Sequence, residues 1–152
     1  MPEALVEITR REEFSAAHRL HSPAFSAEDN LRLYGPCNTL HGHNYGLEVS
    51  VLGPLDARTG MVMNLSDLMR LLRETIIARL DHKYLNEDVP FLRGIIPTAE
   101  NLAVAIWDEL EPSLRQYPSC RLHRIRLHES ASNIAEYLGP GSSPRQSSSA
   151  SS

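Results

Sequence analysis

In the stretch His41-Gly-His-Asn-Tyr-Gly-Leu-Glu-Val-Ser-Val-Leu52, apolar side chains fall on every second residue. Tyr45, Leu47, Val49 and Val51 alternate with Gly46, Glu48 and Ser50. A period of two marks a strand with one buried and one solvated face, and the strand is read from about His43 to Leu52. A half-buried strand needs partners. Working outward, three further stretches share the pattern. Leu5 to Leu20 puts Phe14, Ala16, His18 and Leu20 on one face. Cys120 to Glu129 sets Ile125 and Leu127 opposite Arg124 and Arg126, and Asn133 to Leu138 follows the turn-like Ser130-Ala-Ser-Asn133.

Between these strand pairs the period changes to that of a helix. Leu65, Leu68, Leu72, Ile76 and Leu80 recur at helical spacing behind Asn64 or Ser66, either of which can cap the first turn. A second helix follows Pro97, with Thr98 as N-cap and Glu100 in the first turn, where the helix dipole favours a carboxylate. Its stripe is Leu102, Ala103, Ile106, Trp107 and Leu110, and Pro112 ends it or starts a new turn. The expected fold is α+β, a four-stranded antiparallel sheet with two helices on one face. An open sheet of this kind leaves edges, which oligomerisation that continues the sheet would cover.

The 152 residues fit one compact domain, expected over 1–140, and the hydrophobic fraction of 41% is that of a globular protein. The serine-rich stretch 141–152 lacks apolar residues to offset ordering entropy and is expected to be a disordered tail. A net charge of −4 without a basic run argues against a nucleic-acid partner. No apolar run approaches the roughly 20 residues that span a bilayer, so no membrane partner is expected. The N-terminal residues lack the pattern of a secretory signal. Two cysteines, Cys37 and Cys120, are too few for a disulfide scaffold, and a cytoplasmic setting is expected.

His41 and His43 stand at i and i+2, so on an extended backbone both imidazoles point to one side. His18 lies on another strand, on the face shared with apolar residues. If the two strands pair, three imidazoles converge, the donor set of an open, catalytic Zn2+ site. The alternative is a pair of hydrogen-bonded core histidines. His21, His82, His123 and His128 lack such a partner nearby and read as surface or packing residues, His82 apart.

Cys37, four residues before His41, is either a small buried hydrophobe or a reactive thiolate favoured by a nearby cation. Asp81-His82 would form an orienting pair if the two side chains faced each other, which adjacency alone does not ensure. Glu129 ends a strand, where a carboxylate could accept two hydrogen bonds from an N–C–N edge or simply be solvated.

The segments Phe14-Ser-Ala-Ala-His-Arg-Leu-His21, Cys37-Asn-Thr-Leu-His-Gly-His-Asn-Tyr45, Gly60-Met-Val-Met-Asn-Leu65, Leu80-Asp-His-Lys-Tyr-Leu85, Pro97-Thr-Ala-Glu-Asn101, Ile106-Trp-Asp108 and His128-Glu129 together resemble the 6-pyruvoyltetrahydropterin synthase family. The resemblance runs in order through nearly the whole domain and leaves out the tail. It implies the tunnelling fold (T-fold), with trimers closing into a barrel and two trimers stacking into a homohexamer. It implies one Zn2+ per chain on His18, His41 and His43. It makes Cys37 the proton-abstracting group and Asp81 and His82 a linked acid–base pair. Glu129 anchors the pterin, with Thr98 and Glu100 near the same pocket. In such enzymes the site lies between subunits.

The implied reaction converts 7,8-dihydroneopterin triphosphate to 6-pyruvoyltetrahydropterin with elimination of triphosphate, a lyase step in tetrahydrobiopterin biosynthesis. Whether Mg2+ accompanies the triphosphate stays open, and Arg19 or Lys83 are the basic residues considered for holding it. Only three residues separate Cys37 from His41, a spacing that looks like the bacterial 6-carboxy-5,6,7,8-tetrahydropterin synthase of queuosine biosynthesis. The segments from His21 to Cys37 and Met61-Val-Met-Asn64 look like the pyruvoyl-forming enzyme, which is the favoured reading. A non-catalytic module that binds a pterin or a metal is the third.

Overall fold

The computed structural model describes residues 4–142. The tail expected at 141–152 therefore lies outside the described residues beyond Ser142. Elements run in the order β1 (Leu5–His18), α1 (Ala27–Tyr34), β2 (His41–Pro54), α2 (Leu65–Leu72), α3 (Ala78–Leu80), β3 (Lys83–Tyr84), α4 (Ala99–Leu114), β4 (Arg121–His128) and β5 (Ile134–Tyr137). The sheet order is β3-β1-β2-β4-β5. The four expected antiparallel strands are β1, β2, β4 and β5. The sheet departs from four strands in one respect. Lys83–Tyr84 add a fifth, two-residue strand parallel to β1, opposite Ala16 and Ala17. A strand that short carries no periodicity to read.

The register of the long β1–β2 pair controls the site. It sets Leu5 opposite Pro54 at one end and His18 opposite His41 at the other, with Phe14 opposite Tyr45 and Ala16 opposite His43. A slip of one residue would turn every side chain to the wrong face. The apolar face resists it: Phe14, Tyr45, Leu47, Val49 and Val51 are all buried. Phe14 and Tyr45 also stack, with ring centroids 4.8 Å apart.

Helix α2 with its continuation and α4 cover this face. In α2 and its continuation, Leu68, Leu72, Ile76 and Leu80 are fully buried, each stabilising the fold by about 1.5–3 kcal/mol. Asn64 is the cap, its side chain accepting from the Ser66 N–H. The helix does not run evenly to Leu80. It widens into a π turn over Arg73–Ile77 before α3. In α4, Thr98 caps the first turn as expected, and Pro112 lies inside the last turn, with the helix running on to Leu114.

Helix α1 was not expected. Its apolar residues Leu31 and Leu33 are exposed and its one buried residue is Asn30, so no helical stripe announces it. The signal available was local, Ser26 capping the N–H of Asp29. Strand β1 ends at His18, two residues before the expected Leu20, because β2 begins at His41 and offers no partner beyond it.

Candidate metal centre and its surroundings

The β1–β2 register brings His18 and His41 face to face and His43 alongside, across from the small Ala16. The three ring centroids are 4.6, 5.0 and 5.1 Å apart. One nitrogen from each ring lies within 4.8 Å of the others.

The hydrogen bonds on the far side of each ring decide what the near nitrogens are. His18 Nδ1 is 2.8 Å from the Pro97 carbonyl oxygen, and His41 Nδ1 is 2.6 Å from that of Thr39. A carbonyl can only accept, so both Nδ1 atoms are assigned the proton and both Nε2 atoms present bare lone pairs. Those two Nε2 atoms face each other at 3.0 Å. Among the described residues, His43 Nε2 is buried without a hydrogen-bond partner. Two opposed lone pairs and one orphaned polar nitrogen cost about 1–3 kcal/mol apiece when left unpaired. A single divalent cation among them satisfies all three. Burial holds the His18 imidazole below its ordinary pKa, keeping it in the neutral form a metal requires. The donor set therefore fits a metal ion, with backbone carbonyls orienting two of its ligands.

Two neighbours complete this end of the core. The Tyr45 hydroxyl lies 3.3 Å from His18 Nδ1, and burial, helped by the Glu129 charge, keeps the phenol protonated far above its usual range. Glu129 Oε1 is 3.9 Å from His43 Nε2, too far for a hydrogen bond. Glu129 lines a cavity of about 510 Å³ whose wall also includes Thr98, Glu100, Leu20 and Asn133. The Thr98 hydroxyl is occupied there as the cap of α4, accepting from the Asn101 N–H at 3.1 Å.

Asp81 and His82 do face each other. His82 has φ 62°, and its Nδ1 lies 2.9 Å from Asp81 Oδ2. Both residues are tied to one point on β1: Asp81 Oδ1 accepts from the Ser15 N–H at 2.9 Å, and the His82 N–H donates to the Ser15 carbonyl at 2.6 Å. His82 lines a different cavity, about 580 Å³, shared with Ser15, Ala17 and Asn44 on the sheet face away from the helices, and with His43. A larger cavity, about 660 Å³, between Pro54–Asn64 and Ser119 holds none of the candidate residues.

Cys37 is exposed on a one-turn 3-10 helix, Gly35–Asn38. Of the two basic residues considered, Arg19 is engaged within the chain, its Nε donating to the Asn38 carbonyl and its Nη2 to His21 Nδ1. Lys83 is exposed beside His82. His128 hydrogen-bonds Glu48, and His123 is the extra residue of a bulge in β4.

The fold and the histidine cluster define an α+β chain equipped to hold a metal ion. The family model for 6-pyruvoyl tetrahydropterin synthase matches residues 7–140. The 6-pyruvoyl tetrahydrobiopterin synthase of Drosophila melanogaster is 47% identical over 135 residues, 88% of this chain and 79% of its own. The human protein of the same name is 46% identical over 135 residues, 88% of this chain and 91% of its own. The structure of Caenorhabditis elegans 6-pyruvoyl tetrahydropterin synthase superposes with a TM-score of 0.84 at 33% identity, covering 91% of this chain and 99% of that one. The chain belongs to the 6-pyruvoyl tetrahydropterin synthase family.

What holds these groups in place leaves no mark in the sequence. The Pro97 and Thr39 carbonyls have no signature, since any residue supplies one. Tyr45 reads only as one more apolar position of its strand.

Proposed function

We propose that this chain is a zinc-dependent lyase that converts 7,8-dihydroneopterin triphosphate to 6-pyruvoyltetrahydropterin and inorganic triphosphate. The observation that carries this reading is the trio of unprotonated or unpartnered imidazole nitrogens of His18, His41 and His43 beside Glu129, in a chain so similar to named pyruvoyl-forming synthases. When bound, Zn2+ supplies Lewis-acid stabilisation for negative charge developing on the substrate side chain.

The chain's own residues supply the rest. Glu129 accepts hydrogen bonds from the N–C–N edge of the pterin and anchors the ring in the cavity it shares with Thr98 and Glu100. The Cys37 thiolate takes a proton from the substrate side chain, and His82, oriented by Asp81, carries the second proton transfer. The reaction is redox-neutral overall. Hydrogen lost from the side chain reappears on the ring, and triphosphate leaves.

His82 and Glu129 line separate cavities of one chain. That separation supports a site assembled between subunits, in a homohexamer of two trimers whose contacts extend the sheet and cover its edges. The setting is the cytoplasm, where Cys37 stays reduced. The test is mass spectrometry of the products formed from 7,8-dihydroneopterin triphosphate by the zinc-loaded protein. The pyruvoyl product with free triphosphate is expected, and acetaldehyde with a 6-carboxy pterin would instead make it the queuosine-type enzyme.

A further inference from the structure

The segment just beyond β1 joins the metal ligand His18 to the turn that carries Cys37. Arg19 and Leu20 run on past the last β1–β2 pair, and side chains stand in for the missing strand partners. On one side, Asn86 bonds both backbone groups of Arg19: Oδ1 accepts from the Arg19 N–H at 3.0 Å and Nδ2 donates to the Arg19 carbonyl at 2.9 Å. An amide side chain is here a copy of the peptide group that β3 would have offered had it continued. On the other side, Leu20 is bonded by the cysteine turn. Its N–H donates to the Cys37 carbonyl at 2.8 Å, and its carbonyl accepts from Asn38 Nδ2 at 2.8 Å. The Arg19 guanidinium adds a bond to the Asn38 carbonyl at 3.1 Å.

The Cys37 side chain is exposed. What locates its thiol is the backbone beneath it, which the Leu20 N–H, the Asn38 side chain and the Arg19 guanidinium hold to the metal ligand's strand, while Asn86 fixes Arg19 from the other side. The geometry points to Asn38 and Asn86 as positioning residues that set the Cys37 thiol relative to the His18–His41–His43 cluster. Asn86 follows the Asp81–His82 pair by a few residues, so its bonds tie that pair's segment to Arg19, which in turn bonds the cysteine turn. The inference rests on the proposed lyase reading, in which the thiol moves a proton and a small displacement is costly. A misplacement of about 1 Å can lower a rate by roughly a hundredfold.

The test uses the full chain with Asn38→Ala and Asn86→Ala, loaded with Zn2+ for turnover and with Co2+ for spectroscopy. Each variant is expected to lower kcat about tenfold or more with KM within about twofold. The Co2+ absorption bands should stay unchanged, and the rate of Cys37 modification by iodoacetamide, followed by peptide mass, should shift by about threefold or more. Wild-type kcat and an unaltered modification rate in both variants would overturn the inference. So would altered Co2+ bands, which would locate the effect in the metal cluster. Should Asn38→Ala fail to fold, Asn38→Leu, close in volume but without a donor for the Leu20 carbonyl, is read the same way. If the wild-type protein releases no triphosphate, the lyase reading fails. If it does and the variants match it, this inference alone fails.

Discussion

His82 Nδ1 lies 2.9 Å from Asp81 Oδ2 because His82 takes a left-handed backbone, φ 62°, that folds its ring back onto its neighbour. A non-glycine residue held there is uncommon and is maintained by its surroundings. Ser15 does the holding, bonding the Asp81 carboxylate and the His82 N–H at once. The carboxylate accepts the Nδ1 proton, leaving Nε2 as the exchangeable position. Asp81→Asn is expected to lower kcat by about a hundredfold, the scale of one general acid–base group, with metal content unchanged. Steady-state kinetics with metal analysis checks it.

The same carboxyl makes a pH prediction. The Ser15 N–H, and after it the His82 imidazole, hold Asp81 below the ordinary carboxylate range. A group with a lowered folded pKa contributes stability that is complete above its unfolded value and is lost as pH falls through the folded one. The Asp81→Asn protein should therefore lose less Tm than wild type on acidification below about pH 4. Thermal melts across the acid range decide this, and parallel curves for the two proteins would refute it.

The metal prediction follows from the opposed nitrogens of His18 and His41 at 3.0 Å. Without a cation their lone pairs repel. Zinc at about a hundred times its Kd should stabilise the fold by about 2.7 kcal/mol, raising Tm by several degrees at a stoichiometry near one per chain. His43→Ala should abolish that rise. Calorimetry with and without a chelator measures both.

Ala16 faces His43 across the β1–β2 ladder and is 6% exposed. Its small side chain leaves room for the imidazole. Ala16→Leu should displace His43, costing about 1–3 kcal/mol of stability through overpacking and most of the metal affinity. Denaturant melts and zinc titration report the two effects separately.

Cys37 is exposed, so Cys37→Ala should change stability by less than about 0.5 kcal/mol. Its turnover should fall by about a hundredfold or more while the metal stays bound. Retained activity would remove the thiol from the reaction.

The strands and the two long helices were legible because burial on one side imposes a period, two in β2 and nearer four in α2 and α4. Where burial imposes none, the chain was silent. Helix α1 turns Leu31 and Leu33 outward, and β3 is two residues long. The π turn at Arg73–Ile77 interrupts α2 without any glycine or proline to mark it.

The sequence alone determined the chemistry on offer: three imidazoles on strand faces, a thiol, a carboxylate–imidazole neighbour pair and Glu129 at a strand end. Which of these meet was decided by the tertiary structure. His18 and His41 are 23 positions apart, and only the antiparallel register puts them opposite each other. Glu129 comes within 3.9 Å of His43 because β4 pairs with β2, whereas His82 is carried to the opposite sheet face by Ser15. Proton positions on the histidines depend on the carbonyls of Pro97 and Thr39. A residue's type fixes what it can donate or accept. Its partner, brought in from far along the chain, fixes which of those it does.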